Sequence, residues 1–275
     1  MIAIADAGGT KIEWRLLDQQ GVKQFNSEGF NLKNSTPGYL LKSLPEGILE
    51  VQPKTIYFYG AGITSEHDRE VVSSCLQPSF PSSNIEVFSD IMGSARAVYG
   101  TEMGWVGILG TGSAAVYYNG EKITQRIPSL GYRLGDEGGG TSLGRAFLAK
   151  YLRGQFSDTL SDKMSKMFPH LNEVNVLEEI YQSKNDIRLF NSMVPFIADN
   201  QKEPEIYGLV EREFNNYFQA YFPGTLKDEP IRFSGSVAHS LSNILRSVAQ
   251  ARSISVSLIM QNPVAGLTLY HQKHG

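Results

Sequence analysis

The stretch IAIADAGGTKIEWRLLD, residues 2–18, decides the fold. An apolar run over 2–5 ends at Asp6 and the pair Gly8-Gly9. Beyond the glycines, Ile12, Trp14 and Leu16 fall on one face of a period-two pattern, which reads as a second strand. Gln20-Gly21 is a turn signal, and residues 22–27 form a third short strand. The chain therefore opens as a strand, a glycine turn and two further strands.

The same device returns in the second half. WVGILG (105–110) is a buried strand ending in glycine, SAAVYYNG (113–120) a strand closed by Asn119-Gly120, and KITQRI (122–127) a third. The two copies share little identity, so what repeats is topology. Between them, 38–50 has a helical pattern interrupted by Pro45. TIYFYG (55–60) reads as a buried parallel strand. Residues 65–77 suit a helix, and IEVF (85–88) suits another buried strand. Either Ser89 or Asp90 can cap the helix that follows. After the second meander, 141–222 is mostly helical, with apolar residues three and four apart. IRFSG (231–235) and ISVSLIM (254–260) are strands around one amphipathic helix over 236–251, and a final helix follows Pro263. Strands alternate with helices throughout, so the class is α/β.

Composition narrows the partners. The chain has 275 residues, 41% hydrophobic and 19% charged, enough for one large domain or two smaller ones. A net charge of -3, from 25 basic and 28 acidic residues, argues against a nucleic-acid partner held by a strongly basic face. The lone Cys75 excludes an internal disulfide framework, a four-cysteine zinc site and a self-contained iron–sulfur cluster, and it fits a reducing compartment. The start lacks a basic leader region and reaches Asp6 before an apolar one can form. No segment reads as a membrane span. A soluble cytoplasmic protein without a membrane partner is expected. His271 and His274 are assigned to a solvated polar tail.

The glycine clusters carry the chemistry. No Gly-Lys pair occurs, so there is no P-loop of the Walker type. GTGSAA (110–115) fits a loose dinucleotide pattern but runs into a strand, not a helix, and fails on context. In Asp6-Ala7-Gly8-Gly9-Thr10-Lys11, glycine lets backbone N–H groups approach an anion and Thr10 adds a hydroxyl. Asp6 can hold hydrated Mg²⁺ beside them, and an acidic hairpin turn is the plain alternative. Gly110-Thr111-Gly112-Ser113 repeats the device, and two such turns would clamp phosphates. Asp90, after a strand and at a helix start, is a proton acceptor or a helix cap. In GYRLGDEGGG (131–140), Asp136 and Glu137 suit sugar hydroxyls. Gly235-Ser236, between a strand and a helix, can support an adenine or ribose.

In their order, DAGGTK (6–11), GFN (29–31), SDIMGSA (89–95), ILGTGS (108–113), GYRLGDEGGG (131–140), SGSV (234–237) and NPVAGL (262–267) resemble the sugar kinase–Hsp70–actin superfamily. Within it they resemble most the N-acetylglucosamine kinases and the related benzoyl-CoA-reductase-activator-type ATPases. The resemblance implies two ribonuclease-H-like (actin-like ATPase) domains with a central cleft for ATP and sugar. The first would span 1–105 and be joined by the C-terminal helix 262–275, and the second would span 106–261 with a helical insertion. It implies that Gly8, Gly9, Thr10 and Lys11 meet the ATP phosphates, with Thr111, Gly112 and Ser113 as the second phosphate loop. Asp6 would hold Mg²⁺ through water, and Gly235 and Ser236 would lie by the adenosine. Asn31, Asp90, Gly131 and Asp136 would bind the sugar, with Asp90 taking the proton of its 6-hydroxyl. Three positions depart from the family pattern: Ala114 stands for Asn, Gly139 for the Ser of GDEGSG, and Ala7 for Gly or Ser.

The function implied is an ATP-dependent amino-sugar kinase, with N-acetylglucosamine first and N-acetylmuramic acid as an alternative acceptor. A homodimer is left open. Two other classes compete. An activator-type ATPase needs a four-thiolate cluster, and two copies of this chain would bring two thiols. A sugar or nucleotide sensor with a dead site would bind without turnover.

Overall fold

The computed structural model describes residues 1–9, 11–182, 186–224 and 229–274. In chain order come β1 (Ile2–Ala7), β2 (Lys11–Asp18), β3 (Gly21–Glu28), α1 (Pro37–Lys42), α2 (Glu46–Leu49), β4 (Thr55–Gly60), α3 (Glu66–Leu76), β5 (Asn84–Ser89) and α4 (Asp90–Tyr99). The second cycle starts with β6 (Gly104–Leu109), β7 (Ser113–Tyr118) and β8 (Ile123–Ile127). Helices follow as α5 (Gly131–Leu134), α6 (Gly140–Leu152), α7 (Asp158–Met167), α8 (Glu173–Gln182), α9 (Asp186–Ser192), α10 (Val194–Asp199) and α11 (Pro204–Tyr221). The chain continues through β9 (Ile231–Ser234), α12 (Ser236–Ser240), α13 (Ser242–Ala251), β10 (Val256–Met260) and α14 (Pro263–His274). Two compact units result: Met1–Met103 with Tyr118–Thr124 and Asn262–Gly275, and Gly104–Tyr117 with Gln125–Gln261.

Each unit is built on a five-stranded mixed sheet. The first has order β3-β2-β1-β4-β5 and the second β8-β7-β6-β9-β10. The two orders are the same, strand for strand, so the repeated meander is a repeated ribonuclease-H-like sheet. In the first, β1 pairs antiparallel with β2 and parallel with β4, which pairs parallel with β5. In the second, β6, β9 and β10 run parallel. Small residues let the central strand pack closely: Ala3, Ala5 and Ala7 are fully buried with Ile12, Trp14, Phe30 and Phe58. The Trp14 and Phe58 rings meet edge-to-face at 6.1 Å. The second core is aromatic, with Phe147, Phe196, Phe214, Phe218 and Phe233 buried on and around α11. Among the described residues, no helix is long and apolar enough to cross a membrane.

Three expectations are corrected. Residues 85–88 form an edge strand, not a buried one: β5 has a neighbour on one side only, Val87 alone is buried, and Glu86 had already broken the apolar run. Residues 236–251 make two helices, because the backbone leaves helical geometry at the buried Leu241. The Ser240–Asn243 neighbourhood is polar and short-chained, and such residues compete for backbone hydrogen bonds.

The third correction concerns His271, which is no part of a solvated tail. It lies 3% exposed in the first unit, its Nε2 2.8 Å from the Tyr59 hydroxyl, and its ring stacks on Tyr57 at 3.7 Å. Arg96 donates to the same hydroxyl at 2.9 Å. Tyr59 therefore passes its own proton toward Nε2, and the imidazole keeps its hydrogen on Nδ1. The apolar period of α14 holds the residue there: Val264, Leu267 and His271 share its buried face. Gly266, also buried, lets α14 press against α4, since a Cβ there would overlap the Ala97 carbonyl.

Candidate active site

In the first unit, the ends of the three parallel strands gather the acidic residues. Asp6 lies at the end of β1 in register with Tyr59, and Ser89 ends β5 in register with Gly60 of β4. Asp90 follows at once as the first residue of α4. The cap of α4 is Ser89, whose Oγ accepts the Met92 N–H at 3.2 Å, while Asp90 accepts the Ile91 N–H at 2.9 Å. The capping role that competed for Asp90 thus belongs to its neighbour.

Asp6 is recessed, and its pKa is pushed up to about 7. Burial is the main cause, followed by the negative charges of Asp90 and Glu13; Lys11 and the Val264 N–H act in the opposite direction. That N–H belongs to the first turn of α14, so a helix start faces the carboxylate. Across the β1–β2 turn, the Gly8 N–H bonds to the Lys11 carbonyl at 3.0 Å. Gly9 is exposed, with open space where a side chain would stand. Lys11 pairs with Glu13 at 2.7 Å, and Thr10 lies outside the described residues. Asn31 is brought to the same end of the sheet. The neighbouring Phe30 N–H bonds to the Gly8 carbonyl, and Asn31 bridges to Ala61 just beyond β4. Its own Oδ1 accepts the Lys33 N–H at 3.0 Å.

In the second unit, the two glycine clusters are one structure. The Gly140 N–H bonds to the Gly110 carbonyl at 2.8 Å, and the Thr141 N–H to the Thr111 carbonyl at 2.9 Å. The first amides of α6 thereby hold the turn between β6 and β7. Asp136, with a left-handed φ of 59°, accepts the Ser113 N–H at 3.3 Å. Burial raises its carboxyl pKa, and the Ser113 N–H opposes that shift. Gly139 packs over Gly112 so tightly that a Cβ would stand 2.7 Å from the Gly112 carbonyl carbon. The Ser113 hydroxyl turns inward to Tyr221 at 3.0 Å, whereas Thr111 is exposed at the tip. Gly131 is exposed at the start of α5, with φ 69°. Gly235, with φ 125°, caps α12, and its missing side chain makes room for the Leu109 carbonyl; Ser236 beside it is exposed.

The predicted residues therefore collect into two groups, one on each unit: Asp6, Gly8, Gly9, Lys11, Asn31 and Asp90 on the first, and Thr111, Gly112, Ser113, Gly131, Asp136, Gly235 and Ser236 on the second. Several neighbours carried no motif. Glu13 is 7% exposed and adds its charge to that of Asp6; an acid between Ile12 and Trp14, four residues after Gly9, was its signal. Glu213 and Tyr221, buried on α11, reach the second group. Among the described residues, no group of three or more His, Cys, Asp or Glu could by itself hold a metal ion.

No protein-family model matches the sequence, and no curated protein does. Solved structures do. A candidate N-acetylglucosamine kinase from Porphyromonas gingivalis is 31% identical over 99% of both chains, with a TM-score of 0.91. The chain belongs to the sugar-kinase family of the actin-like ATPase superfamily. Two more distant members of this sugar-kinase group share the fold. A candidate N-acetylglucosamine kinase from Chromobacterium violaceum is 16% identical over 98% of both chains, with a TM-score of 0.72. A ROK family glucokinase from Streptomyces griseus, solved with glucose and AMPPNP, is 12% identical over 100% of this chain and 99% of its own, with a TM-score of 0.60.

Proposed function

We propose that the protein is an ATP-dependent kinase that phosphorylates the 6-hydroxyl of an amino sugar, N-acetylglucosamine foremost. The observation that carries the reading is the place of Asp90 at the strand ends, at the start of α4 and near enough to Asp6 for its charge to raise that carboxyl's pKa. Ser89 serves as the helix cap, so the start of α4 does not depend on Asp90 for that role. Asp90 then orients the sugar hydroxyl and takes its proton as the oxygen attacks the γ-phosphorus and ADP leaves.

Little covalent work is asked of the protein; positioning and charge neutralisation do most of it. The amides of Gly9 and Gly112, with Lys11 and the Thr10 and Thr111 hydroxyls, would meet phosphates, while Gly8, whose N–H is taken by the Lys11 carbonyl, would shape the turn. Ser113 would shape this loop rather than donate to phosphate, since its hydroxyl is held by Tyr221 and its N–H by Asp136. Asp136, Asn31 and Gly131 would hold sugar hydroxyls, and Gly235 and Ser236 the adenosine. A single recessed carboxylate, Asp6, fits Mg²⁺ carried by water and nucleotide rather than by a protein cage. When bound, Mg²⁺ supplies charge neutralisation on the phosphates. Ala114 is buried and has no polar side-chain atom, and its carbonyl is occupied by Tyr217 at 3.0 Å, so acceptor choice would rest on the other contacts.

The test is coupled ADP release with Mg²⁺-ATP against a panel of glucose, glucosamine, N-acetylglucosamine, N-acetylmannosamine and N-acetylmuramic acid. Release that depends on an amino sugar supports the reading. ADP release independent of every sugar, or sugar binding without turnover, refutes it.

A further inference from the structure

On α11, Glu213, Tyr217 and Tyr221 recur every four residues, a spacing that puts them on one helix face. They interrupt an otherwise apolar buried stripe of Ile206, Leu209, Val210, Phe214 and Phe218, and are themselves 7%, 0% and 2% exposed. Polar tips buried this deeply are kept where they have partners. Each here has a different one. Glu213 accepts the Ser142 hydroxyl at 2.6 Å, in the first turn of α6. Tyr217 donates to the Ala114 carbonyl at 3.0 Å, and its Cβ fills the space a side chain on Gly138 would need. Tyr221 accepts the Ser113 hydroxyl at 3.0 Å and donates back to the Ser113 carbonyl at 3.3 Å. The three tips thus hold, in order, the helix after the second glycine cluster, the strand after the first, and the turn itself.

We infer that Glu213, Tyr217 and Tyr221 are positioning residues that lock the Gly110–Ser113 turn and the Asp136–Gly140 loop into one register, with Tyr221 setting Ser113 beneath Asp136. None of the three touches substrate in this assignment; they act through Ser142, Ala114 and Ser113. The doubly bonded Tyr221 is the sharpest case. Its hydroxyl holds both the side chain and the carbonyl of Ser113, and the backbone fixed in this way carries the Ser113 N–H that meets the Asp136 carboxylate. The consequence for turnover rests on the kinase reading above, whereas the locking itself does not.

Tyr221→Phe removes the hydroxyl and keeps the ring. Tyr207→Phe, elsewhere on α11, is the control. Hydrogen exchange by mass spectrometry on the full chain should show faster exchange in 110–116 and 136–142 for Tyr221→Phe alone. The KM for the sugar should rise about 3- to 10-fold, the worth of one hydrogen bond, with the KM for ATP changing less. If Tyr221→Phe does not accumulate folded, Ser113→Ala removes the hydroxyl bond from the other side, leaves the bond to the Ser113 carbonyl, and should give the same exchange pattern at smaller amplitude. Unchanged exchange in both segments overturns the locking. Faster exchange with an unchanged sugar KM overturns the positioning role. Faster exchange in a protein whose wild type releases no ADP with any sugar supports the locking and refutes the kinase reading.

Discussion

Gly139 and Gly112 touch through backbone alone. A single carbon added to Gly139 would come within 2.7 Å of the Gly112 carbonyl carbon, closer than real side chains approach. The GDEGGG segment is therefore fitted to the glycine turn it covers, and the Ser of the family pattern would not fit here without displacing one of them. Gly139→Ser should lower the melting temperature by about 3–8 °C, the effect of overpacking by about 1–3 kcal/mol, and should raise the KM for sugar. A variant as stable and as active as the wild type would show that the two loops separate easily.

Asp90→Asn should leave the fold intact, because Ser89 keeps the cap of α4. Turnover should fall by about 10²–10⁴, the usual worth of a positioned base, while nucleotide affinity stays within about threefold. Stopped turnover with an unchanged melting curve and an unchanged nucleotide titration is the expected outcome. An active variant would move the proton acceptor elsewhere.

His271 should make the first unit sensitive to acid. Burial, with Arg96 and His274 nearby, pushes its pKa down to about 4, against 6.5 in an exposed setting. The unfolded chain therefore binds a proton below 6.5 that the folded chain refuses until about 4. Stability is full above the upper value and is lost as pH falls between the two, by ~3 kcal/mol in all. Urea titrations between pH 7 and pH 4 should show the loss in wild type and a shallower slope in His271→Phe.

Gly266→Ala tests the packing of α14 against α4. An exposed helical glycine gains about 1 kcal/mol on such a change. Here the new methyl would overlap the Ala97 carbonyl. The net effect should be a loss of about 1–2 kcal/mol, read as a lower denaturant midpoint at constant slope.

Much of this arrangement was legible in the order of residues along the chain. Alternation around Ile12, Trp14 and Leu16, and the glycines that end apolar runs, are local signals, and the opening meander of each sheet follows from them. Asp90 could be placed at a strand end by its neighbours, but whether it or Ser89 capped the helix needed the observed Ser89–Met92 bond. The interlock between Gly110–Thr111 and Gly140–Thr141 was not legible, because it joins segments that propensity treats separately. His271 was misread for the same reason. Near a chain end and among Tyr, Gln, Lys and His, its composition is that of a tail, and only the tertiary partners Tyr57, Tyr59 and Arg96 make it core.

The return of α14 to β1 and β2 also imposes a schedule on biosynthesis. The first sheet can pair its strands early, yet the surface around Asp6 and Tyr59 gains its helical cover only after the whole of the second unit has left the ribosome. At ~5–20 residues per second that is a wait of roughly 10–30 s. During it, the nascent first unit carries an uncovered sheet face that invites chaperone binding or premature association. Fusing residues 262–274 directly behind residue 103 would remove the delay.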